Sequence, residues 1–235
     1  MSSAIAFIHA RGGSKRIPRK NIKDFFGKPA IAYPIKAALD SGVFDQVIIS
    51  TDDQEIADIA VKYGAQCHYM RPAELANDMA TTDAAFQYDV ATMRDQGVEF
   101  DYACCIYGMS IFLESEYFKK AYDAISTRDD IGSVISVTEY DFSIFRALVE
   151  NENGCLQMRE PEYRLTRSQN LPDAYHDAAL FYFVNANNYQ AEGKVYSDKG
   201  ICPVKIPNSK AVDIDTPDDW LRAEIMYEAL QKIKR

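Results

Sequence analysis

The stretch Ala4-Ile5-Ala6-Phe7-Ile8-His9-Ala10-Arg11-Gly12-Gly13-Ser14-Lys15-Arg16-Ile17-Pro18-Arg19-Lys20-Asn21 joins a short apolar run to a loop of glycines and cations. Ala4 to His9 reads as a buried first strand, because it is apolar, contains β-branched residues and stops just before a glycine pair. Gly12 and Gly13 allow close backbone approach and positive φ, so successive amides can point at an anion. Ser14 adds a hydroxyl. From Arg11 to Lys28 seven cations (Arg11, Lys15, Arg16, Arg19, Lys20, Lys23, Lys28) accompany a single anion, Asp24. The loop therefore reads as a phosphate cradle at the end of a strand. It is not a P-loop, because GxxxxGK[ST] is absent, and the missing GxGxxG disfavours an NAD(P)-dependent oxidoreductase.

Working outward, strands and helices alternate. Pro29 can open a helix to about Asp40, with Ile31, Ile35 and Leu39 inward and Gly42 as its stop. Gln46 to Ser50 reads as a buried strand and Asp53 to Tyr63 as a helix with Ile56, Ile59 and Ala60 inward and Gly64 at its end. Gln66 to Tyr69 reads as a short strand and Thr82 to Gln96 as a helix on Phe86, Val90 and Met93. Tyr102 to Tyr107 is a strand, Ser115 to Ser126 a helix and Gly132 to Val137 a strand. Residues 138–178 are polar and aromatic without clear period. Leu180 to Val184 and Ile201 to Ile206 look like returning strands. Thr216 to Lys232 is a helix with Trp220, Ala223, Ile225, Met226, Ala229 and Leu230 on its apolar side. This rhythm predicts an α/β fold, a mainly parallel sheet with helices on both faces, whose ligands bind beyond the C-terminal strand ends where the basic loop lies. No linker or repeat divides residues 1–235, which read as one domain, with 139–175 as a projecting arm.

Composition narrows the classes. Apolar residues make up 47% of 235, enough for a core, and no run approaches the roughly 18 residues of a membrane span. The N-terminal residues lack the basic start and long apolar run of a signal peptide. A net charge of −9 argues against nucleic acid and anionic membranes as partners. Five cysteines without CxxC spacing read as reduced thiols, mostly in the core, of a cytoplasmic protein.

Two further clusters carry chemistry. In Val212-Asp213-Ile214-Asp215-Thr216-Pro217-Asp218-Asp219, carboxylates at i and i+2 on extended chain project to one side and can share a hard cation such as Mg²⁺. Thr216 reads as a helix N-cap with Pro217 at the first helical position, so Asp218 and Asp219 read as helix-start residues. Asp213 and Asp215 precede the cap and have no such structural role. The other cluster is Met70-Arg71-Pro72-Ala73-Glu74-Leu75-Ala76-Asn77-Asp78, whose Arg71 would pass as a surface residue on its own. The loop and the acidic pair together disfavour a non-catalytic anion- or nucleotide-binding protein.

Taken together, these pieces resemble the CMP-sugar-acid synthetases. The pattern ARxxSKxxPxKN is met by Ala10, Arg11, Ser14, Lys15, Pro18, Lys20 and Asn21; STD by Ser50-Thr51-Asp52; RPxELAxD by Arg71 to Asp78; and DIDT by Asp213 to Thr216. The resemblance implies a Rossmann-like nucleotidyltransferase fold and transfer of CMP from CTP to a nine-carbon 2-keto sugar acid. It implies that Arg11 and Lys20 hold the triphosphate, with Ala10, Gly12, Ser14 and Asn21 alongside, and that Arg71, Ala80 and Thr82 surround the cytosine. It implies Mg²⁺ (with Mn²⁺ as a substitute) on Asp213 and Asp215, and a homodimer whose arm reaches the partner's site. Arg11, Lys20 and Asp213 are the expected catalytic residues.

Within this family the chain resembles the pseudaminic acid enzymes. Cys105 to Leu113 stands where sialic acid enzymes tend to carry a QPTSPLR-like segment. Tyr175-His176-Asp177-Ala178 stands where they tend to read LPxxxRxNGxxY. Tyr107, His176 and Asp177 are accordingly expected to contact the sugar, and Met109 and Ala179 depart from the residues usual at their positions. Legionaminic and sialic acids are the alternative acceptors.

Overall fold

The computed structural model describes residues 2–233. In chain order it contains β1 (Ala4–His9), β2 (Asp24–Phe25), β3 (Lys28–Pro29), α1 (Ala32–Ser41), β4 (Gln46–Ser50), α2 (Gln54–Lys62), α3 (Thr82–Asp95), β5 (Tyr102–Tyr107), α4 (Ser115–Ser126) and β6 (Ser133–Glu139). There follow β7 (Leu148–Glu150), β8 (Leu156–Met158), β9 (Tyr175–Asn185), α5 (Ala186–Glu192), β10 (Ile201–Lys205) and α6 (Pro217–Ile233). Six strands form one sheet in the order β10-β6-β9-β5-β1-β4. The β1/β4, β1/β5 and β6/β10 pairs are parallel, and β9 runs antiparallel to both neighbours. The α/β class with a mainly parallel sheet is as the sequence predicts.

Every residue of β1 is buried, since it lies inside the sheet with helices over both faces. Ala4, Ala6 and Ile8 point to a cluster with Ile31 and Ile35 of α1 and Phe118 and Ala121 of α4. Ile5 and Phe7 point the other way, to Phe86, Val90 and Met93 of α3. A third cluster lies outside the sheet and unites Ile17 and Phe25 of the basic loop with Val212, Ile214, Trp220 and Ala223. Trp220 meets Phe25 edge-on at 5.5 Å between centroids. That cluster fixes the basic loop and the acidic segment to each other.

Several local expectations are corrected. Helix α1 begins at Ala32, not Pro29, because Pro29 pairs with Asp24 in a small hairpin. Its turn places Phe26 (φ 50°) and Gly27 (φ 81°) both at positive φ, as a two-residue hairpin of matching twist requires. Leu39 is exposed, lying over Gly64 and not in the core. Gln66 to Tyr69 supplies one isolated bridge to Ile48 and no strand. On α6 only Trp220 and Ala223 are buried, and Ile225 and Ala229 face water, because the helix covers one small cluster instead of a sheet face. Only Cys104 and Cys105 are core cysteines; all five are free, and Cys67 and Cys155 are exposed. Among the described residues no helix is long and apolar enough to cross a membrane.

Strand β9 explains the loss of rhythm after residue 137. The chain leaves the C-terminal end of β6, passes through short 3-10 turns and the β7/β8 hairpin, and returns beside β6. The arm is thus a long insertion in a β6/β9 hairpin, and it springs from the strand edge where ligands bind. Opposite Ser136 the ladder is irregular: Ile135 faces Tyr182 whereas Val137 faces Asp177. Ser136 Oγ accepts from the backbone amides of Leu180 and Phe181 (3.2 and 3.1 Å), satisfying the bulge. Ala179 within it has φ 50°, a left-handed conformation that suits glycine better.

Candidate active site

A cavity of about 380 Å³ opens at the C-terminal ends of β1 and β5. Two walls form it. One comes from the basic loop and residues 212–215, with Arg11, Lys20, Asn21, Asp213 and Asp215. The other comes from β1, α3 and the segment before it, with His9, Arg71, Leu75, Ala80, Thr82 and Tyr107. The β9 bulge closes the cavity with Ala179 and Leu180, and Met109 also lines it.

The first wall is a network of exchangeable ion pairs. Val212 and Ile214 are buried in the third cluster, so Asp213 and Asp215 both project outward as the i, i+2 spacing predicts. Lys20 Nζ lies 2.9 Å from Asp215 Oδ1 and donates to the Ile214 carbonyl at 2.6 Å. Arg16 also pairs with Asp215. Burial works to raise the Asp215 carboxyl, but Lys20 and Arg16 prevail and hold it below the usual carboxylate range. Asp213 makes no hydrogen bond or ion pair among the described residues, and burial together with the Asp215 charge pushes its carboxyl up. Arg11 and Lys15 both pair with Asp78 at 2.7 Å. Asp219 accepts from the Asp215 and Thr216 amides and from the Thr216 hydroxyl, so the helix start braces the acidic segment.

The loop's glycines and polar residues serve it from behind. The Gly12 amide donates to Asp52 Oδ1 at 2.9 Å, and a Cβ on Gly12 would meet Asp53 Oδ2 at 2.7 Å. Asp53 cannot retreat, because it caps α2 through the Ile56 amide and is clamped by Arg19. Asn21 is buried and donates to the Arg11 carbonyl at 2.9 Å. Ala10 is buried, with its amide on the Ser50 carbonyl. Ala10, Gly12 and Ser14 therefore shape the loop without lining the cavity.

The second wall is buried and preorganised. His9 pairs laterally with Ser50 on β4 and Tyr107 on β5, so these three side chains stand in a row on the α3 face. Asp89 of α3 is fully buried beneath them. It meets His9 Nε2 at 2.6 Å and accepts from Ser50 Oγ at 2.7 Å. Thr82 Oγ1 bonds the Tyr107 hydroxyl at 2.5 Å, and burial pushes that hydroxyl up to about 12, so it stays neutral. Arg71 is 6% exposed and has no carboxylate partner among the described residues, and its Nε is sealed without a hydrogen bond. Asn77 Oδ1 accepts from the Met79 and Ala80 amides and shapes the turn that delivers Ala80 and Thr82.

His176 and Asp177 lie outside this cavity. His176 is exposed, packed edge-on against Tyr140 at 5.0 Å. Asp177 accepts from the hydroxyls of Tyr182 (2.6 Å) and Tyr196 (2.8 Å) and from the Ala179 amide (2.8 Å). In this chain it holds the strained bulge. Sequence reasoning missed His9, Ser50, Asp89 and Ser110. A signal existed for three of them: His9 and Ser50 are polar ends of apolar runs, and Asp89 falls on the apolar stripe of its helix.

Comparison with known proteins bears on this cavity. The cytidylyltransferase family profile matches residues 5–233. The chain belongs to the cytidylyltransferase family. It is 39% identical to a pseudaminic acid cytidylyltransferase of Campylobacter jejuni, over 95% of this chain and 96% of that one. It is 30% identical to a CMP-N,N'-diacetyllegionaminic acid synthase of Legionella pneumophila, over 97% of each. A solved CMP:2-keto-3-deoxy-manno-octonic acid synthetase complexed with CTP shares its fold, with a TM-score of 0.70 over 97% of this chain and 99% of that one, at 18% identity. The family resemblance read from the four sequence motifs is thereby borne out.

Proposed function

We propose that this cytidylyltransferase transfers CMP from CTP to the anomeric hydroxyl of pseudaminic acid, releasing pyrophosphate. The observation that carries the reading is the pairing of an exchangeable cationic wall with a buried polar wall in one cavity of a family member. The 39% identity to a pseudaminic acid enzyme supports the choice of acceptor. In the reaction the hydroxyl oxygen attacks the α-phosphorus in line, and the bond from that phosphorus to the oxygen bridging to the β-phosphate breaks. Nucleotidyl transfer needs positioning and charge neutralisation more than covalent help. Lys20 and Arg11, released from Asp215 and Asp78, would hold the phosphates and stabilise charge on the departing pyrophosphate. Asp213, which lines the cavity, is the carboxylate that would take the hydroxyl proton. Arg71, Ala80 and Thr82 would hold the base, and Tyr107 the sugar.

Asp213 and Asp215 suit a hard divalent cation, although among the described residues no group of three or more His, Cys, Asp or Glu is gathered for a metal. Asp213 is an unpartnered oxygen donor whose charge Asp215 opposes, a conflict that a cation relieves. Bound Mg²⁺ would neutralise phosphate charge, with the triphosphate supplying the remaining ligands. We also place the enzyme in the cytoplasm, in keeping with five unpaired thiols.

The arm supports a homodimer. Phe142, Leu165 and Leu156 are 89%, 85% and 67% exposed, and a second copy would cover them. Sedimentation at micromolar concentration should show a dimer; a monomer would refute the pairing. For the reaction, pyrophosphate release should require CTP and divalent metal. Equal rates with ATP, GTP and UTP, or full activity in EDTA, would refute the nucleotide or metal assignment respectively.

A further inference from the structure

The polar group beneath the cavity's second wall does more than fill space. Asp89 is fully buried, and each of its oxygens has a partner: Oδ1 accepts from Ser50 Oγ at 2.7 Å, and Oδ2 lies 2.6 Å from His9 Nε2. A buried carboxylate accepts only, so Nε2 carries the proton of this contact. Burial raises the Tyr69 hydroxyl far above its ordinary range, with Asp89 adding to the rise and Arg71 opposing it. The same two residues act in opposite senses on the buried Cys105 thiol. Arg71 and Asp89 are thus opposite charges around one cluster, and among the described residues Arg71 makes no ion pair. A ring whose single proton sits on Nε2 keeps a lone pair on Nδ1.

Among the described residues His9 Nδ1 has no hydrogen-bond partner, it is not among the sealed polar atoms, and His9 lines the cavity. On the same wall Arg71 lines the cavity, and Leu75, Ala76, Ala80 and Ala85 supply apolar surface. An acceptor held in place by its contact with Asp89 and a buried guanidinium thus share a wall whose apolar surface suits a flat ring.

We propose that His9 is a specificity-determining residue that reads the base: its Nδ1 lone pair, fixed by the Nε2–Asp89 contact, accepts from the exocyclic amine of cytosine. This rests on CTP as the nucleotide. Cytosine presents an amine donor beside two acceptors, N3 and O2; the amine meets His9 and the acceptors suit Arg71. Uracil puts a carbonyl oxygen in place of the amine, which would set two acceptors against each other. A site built to match a substrate's hydrogen bonds rejects the analogue because its buried polar groups are left unpaired.

His9→Gln is the discriminating variant, since the glutamine amide nitrogen can still donate to Asp89 while the acceptor is moved from the ring's Nδ1 to the amide oxygen. Equilibrium binding of CTP and UTP should show their affinity ratio falling at least tenfold in His9→Gln. A wild-type preference for CTP that survives undiminished in the variant would overturn the role of His9 alone. A wild-type protein that binds CTP and UTP alike would overturn both this role and the nucleotide assignment. A second measurement needs no substitution. The ¹⁵N resonance of His9 Nδ1 in the wild-type protein should begin in the lone-pair range and move upfield on adding CTP, but not UTP. An Nδ1 that is protonated without ligand, or that responds alike to both nucleotides, would overturn the proposal.

Discussion

The two walls of the cavity handle charge in opposite ways. On the basic-loop wall, Arg11, Lys15, Arg16 and Lys20 are matched to Asp78 and Asp215, mostly in partly exposed pairs. On the α3 wall, Asp89 and Arg71 are almost wholly out of water, and Asp89 is held by His9 and Ser50. Exposed pairs contribute little to stability and can exchange partners, which suits the proposed exchange of carboxylates for phosphates. Buried groups cannot reorganise without leaving something unpaired, which suits selection among similar ligands. One cavity thus combines a wall built for turnover with a wall built for discrimination.

The contrast breaks most readily at Asp89. Asp89→Ala should cost roughly 3 kcal/mol or more of unfolding free energy, because it strands the Ser50 hydroxyl and the His9 ring. Asp78→Ala, at an exposed pair, should leave the urea midpoint where it is. Comparable losses from the two substitutions would erase the distinction between the walls.

Lys20→Ala tests the other side of it. Turnover should fall about 10²- to 10³-fold, the scale of removing one transition-state donor, some 2.7–4 kcal/mol. Its thermal midpoint should move little by comparison, since Lys20 serves the cavity and not the core. Near wild-type turnover in the folded variant would remove Lys20 from the reaction.

The smallest effect concerns Asp213. Its folded carboxyl binds its proton more tightly than in the unfolded chain, through burial and the Asp215 charge. The protonated group therefore favours the folded state in acid, and that advantage is lost as pH rises from the ordinary aspartate range through the raised folded value. At neutral pH the charge is a liability, so Asp213→Asn should be more stable than wild type, by less than about 1 kcal/mol because water screens the site. The gain should vanish in acid, while activity is lost at neutral pH. Thermal melts of both proteins across pH 3 to 8 measure it; a gain that grows in acid would reverse the sign.

The two walls were also unequally legible. Cations crowd into one loop, glycines sit beside them and Val212 and Ile214 alternate with Asp213 and Asp215, so the basic-loop wall is written in consecutive residues. The α3 wall joins His9, Ser50, Arg71, Asp89 and Tyr107, which no short motif unites. Only sheet register sets His9 beside Ser50 and Tyr107, and only α3 packing slides Asp89 beneath them. The parallel core could be read from apolar runs of five or six residues between helical periods. The antiparallel β9 could not, because the arm separates it from the strand whose hairpin partner it is. His176 and Asp177 were placed in the site by motif alone, and the structure gives them to the bulge and its surroundings.

The account stands most directly on the identity of the acceptor. Pseudaminic, legionaminic and N-acetylneuraminic acids should be compared side by side at saturating CTP and Mg²⁺ by pyrophosphate release. The account expects kcat/KM for pseudaminic acid to exceed that for N-acetylneuraminic acid by at least about a hundredfold, roughly 2.7 kcal/mol of differential transition-state binding. A higher kcat/KM with N-acetylneuraminic or legionaminic acid would contradict it.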